Sequence, residues 1–217
     1  MNSKVLKKNL EALASKILRA LKNQYFGAKI ALRYGNNIQL LVAVILSAQC
    51  TDKKVNEVTQ TLFKKYKNVS DFAFADQKIF EQEIKPCGFY KVKAKNIIAS
   101  AQKIQKDFEG KLPKTMKEIL TLPGVARKTA NVVLGNAYGV VEGIAVDTHV
   151  NRFAGYCGLS CHNDPNKIEQ DLMKLFPKRD WFNLTYMIID HGRSWRASKK
   201  YHTKCWVCKL CPKFITK

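Results

Sequence analysis

Acidic side chains are scarce in this chain: Asp and Glu total 17 against 38 Lys and Arg, a formal charge of +21. A deficit that deep on a mixed sequence points to a polyanionic partner, with a nucleic acid ahead of a membrane surface. Long apolar runs are also missing. The longest, Leu40 to Leu46 with its flanks, is far too short to span a bilayer. The opening residues MNSKVLKKNLEAL are amphipathic and hold no signal-peptide core. The expectation is an intracellular protein without a membrane partner, and in such a compartment the seven cysteines are not expected to form disulfides. No internal repeat, low-complexity tract or long linker interrupts the chain. At 217 residues and 46% hydrophobic content, it suits one globular unit or two lobes sharing a cleft. The short apolar pieces Val140-Val141 and Ile144 to Val146 are too isolated to predict a sheet.

What remains is helix. Apolar residues at three- and four-residue steps over 4–22 predict an amphipathic helix. Residues 38–47 are apolar nearly all round, which predicts a central, buried helix. Thr51 or Asp52 is placed to cap the next one, 53–66. Val69 to Glu83 reads as one short helix and Lys91 to Phe108 as another, with Lys91, Lys93, Lys95, Lys103 and Lys106 on its polar side. Helices are also predicted over 114–121, 148–157, 165–176 and 181–189.

Between two of these helices lies a tight turn, Leu122-Pro123-Gly124-Val125-Ala126. Proline fixes one backbone angle there and glycine supplies a positive φ. The helix that follows starts at Arg127, and its first N–H groups favour an anion such as a DNA phosphate. Read alone, Lys128 in that first turn is a phosphate-binding lysine. Asp147, ahead of the 148–157 helix, is an N-cap. Gln49 is a solvated linker residue and Phe89 a core aromatic.

The stretches LPGVARKTANVVL…VDTHV, LLVAVILSAQCTD, IKPCGFYKVKAKNI and DHGR together resemble the endonuclease III family of DNA repair glycosylases over nearly the whole chain. The resemblance implies an all-α fold of two lobes with a cleft between them. One is a six-helix barrel with a helix-hairpin-helix, residues 30–141; the other, 1–29 with 142–217, joins both termini. It implies a bifunctional DNA glycosylase and AP lyase that removes oxidised pyrimidines from damaged double-stranded DNA. Lys128 would be the nucleophile that forms a Schiff base and drives β-elimination, and Asp147 the acid/base group. A helix N-terminus, the neighbouring Arg127 and burial in a cleft would all disfavour the ammonium form of Lys128. Gln49 would fill the gap left by the extruded nucleotide, with Phe89 as an apolar wedge. Gly124, Ala126, Arg127 and Thr129 would hold the DNA backbone. Ala126 stands where the family usually has a second glycine; a negative φ there accepts it, and a positive one costs about 1 kcal/mol or more. A monomer acting in the cytoplasm at the nucleoid is expected. The alternatives are a glycosylase without the lyase step and a non-catalytic helix-hairpin-helix binding module.

The tail departs from the family. Four cysteines spaced C-x6-C-x2-C-x5-C commonly hold a [4Fe-4S] cluster there; here only Cys205, Cys208 and Cys211 remain, with His202 nearby. Three thiolates at these gaps suit three irons of a cluster, with His202, Cys157 or Cys161 for the fourth. A Cys3His set equally suits zinc, and free thiols without metal are the third reading.

Overall fold

The computed structural model describes residues 3–197 and 206–211. Among the described residues there are twelve α-helices and no strand, so the all-α expectation holds. The chain divides into two compact units, Ala31–Glu142 and the pair Met1–Ile30 with Gly143–Lys217.

The first unit is built on α2 (Asn37–Leu46), whose residues from Ile38 to Leu46 are all buried. A helix buried on every side needs partners all round. They are α3 (Asp52–Lys65), α6 (Tyr90–Asp107) and α8 (Arg127–Tyr138). Two short helices, α4 (Val69–Ala73) and α5 (Gln77–Glu83), lean on α6. Tyr66, Phe72 and Phe80 pack there with ring centroids 5.2 to 6.1 Å apart. The single helix expected over 69–83 is therefore two. The break comes at Asp76, whose carboxylate accepts the Ile79 N–H and starts a new helix instead of continuing the old one. Helix α7 (Met116–Ile119) leads into the turn before α8.

In the second unit, α1 (Ser3–Gln24) packs on α10 (Pro165–Leu175), α11 (Trp181–Ala197) and α12 (Trp206–Leu210), while α9 (Thr148–Tyr156) packs on α10 and α11. Helix α11 runs on through His191-Gly192, where the sequence suggests a stop. Gly192 has no side chain to collide with: a Cβ there would overlap the His149 ring. The core gathers Ile17, Leu21, Phe153, Leu172 and Ile188, with Val207, Cys208 and Cys211 from the tail. Cys157 and Cys211, 54 residues apart in sequence, form a disulfide with Cα atoms 4.6 Å apart. This corrects the expectation of no disulfides. Packing of α12 into the same apolar cluster as the end of α9 brings the two thiols together.

Candidate nucleic-acid interface and active site

The hairpin is held from behind by α6. Gly124 has φ +77°, and a Cβ there would press on the Asn96 side chain at 2.8 to 3.1 Å. Glycine is thus required twice, by backbone angle and by close packing. Ser100 Oγ donates to the Pro123 carbonyl at 2.7 Å, fixing the turn against the helix that supports it. Ala126 has φ −90° and ψ 170°, so its replacement of glycine carries no strain. It precedes α8 without any side-chain cap bond. The amides at the start of α8 therefore have no hydroxyl or carboxylate of an N-cap laid over them, the condition in which a helix start accepts an external anion. Lys128 projects from this first turn and is exposed. The burial expected for it is absent from the free protein, so any desolvation of its amine has to come with a bound ligand.

Asp147 lies in the other unit. It caps α9, with Oδ1 accepting the N–H groups of His149 and Val150 at 2.8 Å each. Two amide donors fix the rotamer of this half-buried carboxylate.

Gln49 and Phe89 both hold left-handed backbone, at φ 53° and 47°. Only Glu109 shares this among described non-glycine residues. Gln49 is exposed in the turn between α2 and α3. Phe89 starts α6 and is 65% exposed, so the core reading of this aromatic is set aside. A left-handed conformation costs an ordinary residue about 1–2 kcal/mol, and such outliers persist where the surrounding structure enforces them. One group touches the backbone behind both turns. Lys93, assigned by pattern to the polar side of α6, is instead only 5% exposed. Its Nζ donates to the Leu46 and Cys87 carbonyls, each at 2.9 Å. Burial pushes its pKa down, opposed by the nearby Cys50 and Cys87 thiols. Burial likewise pushes the Cys87 thiol up to about 11, with Cys50 adding to the shift. The signal for Lys93 was present: it precedes Ile97, Ser100 and Ile104 at four-, seven- and eleven-residue steps, all of them buried.

A model of the HhH-GPD superfamily of base excision DNA repair proteins matches residues 42–178. The endonuclease III of Synechocystis sp. is 49% identical over 200 residues, 92% of this chain and 91% of that one. That of Bacillus subtilis is 43% identical, over 85% of this chain and 82% of its own. The chain belongs to the endonuclease III family. Among solved structures of that family, a trapped covalent endonuclease III–DNA intermediate matches with a TM-score of 0.86 and 35% identity, covering 99% of this chain and 98% of that one. A non-covalent endonuclease III–DNA complex matches with a TM-score of 0.83 and 34% identity, over 99% and 97%.

The tail does not follow the family's cluster arrangement. Of the four expected ligands, His202 and Cys205 lie outside the described residues. Cys211 is bonded to Cys157. Cys208 is fully buried, with Sγ 3.4 Å from His191 Nε2. Among the described residues no three His, Cys, Asp or Glu side chains gather as a metal-binding group. A thiol committed to a disulfide is not a thiolate ligand, so the described residues fit neither a [4Fe-4S] cluster nor a zinc tetrahedron. No helix among them is long and apolar enough to cross a membrane.

Proposed function

We propose that Lys128 is the nucleophile of a bifunctional base-excision reaction on duplex DNA. The chain is an endonuclease III-type DNA glycosylase and AP lyase for oxidised pyrimidines. The observation that carries the nucleophile is the position of Lys128: an exposed amine in the first turn of an uncapped helix, directly after the hairpin. Its relative trapped as a covalent DNA intermediate supports the same chemistry. The amine attacks C1′ of an extruded nucleotide, and the base leaves with the glycosidic electron pair. The resulting Schiff base makes the C2′ proton acidic; its removal expels the 3′ phosphate by β-elimination.

Asp147 serves as the acid/base carboxylate of the reaction. Gly124, Ala126, Arg127 and Thr129 hold the phosphodiester backbone at the start of α8, the role for which the uncapped amides and positive end of that helix are suited. Gln49 and Phe89 occupy the stack vacated by the extruded nucleotide, where an inserted side chain returns part of the few kcal/mol lost in unstacking. The enzyme works as a monomer in the cytoplasm, at the nucleoid.

Borohydride reduction tests the nucleophile. The native protein should give a covalent adduct with a duplex carrying an oxidised pyrimidine, and Lys128→Ala none. An adduct of equal yield in Lys128→Ala overturns the assignment. A native protein that binds the duplex without ever nicking it would instead be a binding module.

A further inference from the structure

We propose that Lys93 is a positioning residue whose buried side chain fastens together the two turns bearing Gln49 and Phe89, and so sets where those side chains enter DNA. The proposal rests on the reading of Gln49 and Phe89 as the residues that occupy the vacated stack.

The geometry is specific. Leu46 is the last residue of α2, three before Gln49. Cys87 ends a short 3-10 turn, Lys85–Cys87, two before Phe89. The carbonyls at a helix end have run out of intrahelical donors, and that end carries partial negative charge. One ammonium, a compact donor on a flexible stem, reaches both at 2.9 Å. Both acceptors precede Lys93 in the chain, by 47 and 6 residues. No carboxylate forms an ion pair with Lys93 among the described residues. Cys50 and Cys87 are the titratable groups that act on it.

A buried cation is costly without partners, and an apolar side chain would fill the same space. The amine does something an apolar residue does not: it ties two turns to a common point. Each turn then departs into left-handed backbone at an ordinary, exposed residue. Such conformations need over-determination by their surroundings. With one anchor behind both, the spacing between the two inserted side chains is set before DNA arrives.

The test is a double-mutant cycle. Single-turnover excision is measured on a duplex holding one oxidised pyrimidine beside a fluorescent base that brightens on unstacking. Lys93→Met is made in the native protein and in the Gln49→Ala/Phe89→Ala double variant. In the native background it should slow extrusion and excision by about tenfold to a hundredfold, the scale of a misplacement near 1 Å. In the double variant it should add less than about twofold, because the side chains it positions are gone. Equal losses in the two backgrounds mark a purely structural residue and overturn the proposal. So does native-like extrusion by Lys93→Met while the double variant is slow. Native-like extrusion by the double variant fails differently: it overturns the underlying assignment of Gln49 and Phe89. If Lys93→Met does not fold, Lys93→Gln, with a shorter neutral donor, carries the same cycle and the same outcomes.

Discussion

Among the described residues, the starts of nine α-helices fall into two sets. Asn36, Thr51, Asn68, Asp76, Thr115, Asp147 and Asp164 each place a side-chain oxygen on the first amides of the helix that follows. Helices α6 and α8 begin instead at Phe89 and Ala126, with no such bond. A missing cap costs about 1 kcal/mol. Phe89 adds a left-handed backbone angle as well. The uncapped starts coincide with two segments proposed to meet DNA. Stability is forgone where an amide or an exposed ring is needed for something outside the fold.

Asp147 is a cap that is also proposed to act on DNA, and separating its two roles breaks the comparison with the largest expected effect. Asp147→Ser keeps an N-cap oxygen and removes the carboxylate. Strand cleavage should fall by about a hundredfold or more, with the melting temperature nearly unchanged. Asp147→Ala should lose the same activity and about 1 kcal/mol of stability as well, a drop of about 2–4 °C. If Asp147→Ser retained native cleavage, the residue would be a cap and nothing more.

A smaller effect is expected at Phe89. Phe89→Gly relieves the strain of φ 47° and removes a ring that is already 65% exposed. Against this, glycine adds unfolded-state entropy of about 1 kcal/mol or less. Stability should stay level or rise slightly while excision from lesion duplex slows about tenfold. Loss of stability beyond about 1 kcal/mol would mean that the ring packs in the fold and is not held out for DNA.

The hairpin, the central α2 and the cap at Asp147 were legible in the sequence because each is local. A Pro-Gly turn, an all-round apolar run and an Asp ahead of a helix carry their meaning within a few residues. Three features were missed. The left-handed angles at Gln49 and Phe89 have no residue-type signature, since glycine usually marks such positions. Lys93 has the spacing of the buried face of α6, but it sits among lysines that do face water, and composition assigned it to the wrong side. The Cys157–Cys211 pairing depends on a contact across 54 residues, which spacing within the tail does not reveal. That pairing also takes Cys211 out of the expected metal set, which rested on local cysteine spacing and on the resemblance to the family.

The smallest prediction sharpens the comparison most directly. Ala126→Ser gives α8 the cap that seven other helices have. The Ala126 backbone, at φ −90° and ψ 170°, is already in the extended region from which a serine Oγ accepts the N–H of the third helical residue, here Thr129. Folding stability should rise by about 0.5–1 kcal/mol, or about 1–4 °C in melting temperature. The same bond would occupy an amide proposed to meet a phosphate, so binding has to break the new cap, and affinity for undamaged duplex, measured at fixed salt, should weaken by about two- to fivefold, the equivalent of the roughly 0.5–1 kcal/mol the cap contributes. A variant that is both more stable and binds DNA equally well would show that the bare start of α8 is an unfilled cap and not a phosphate site.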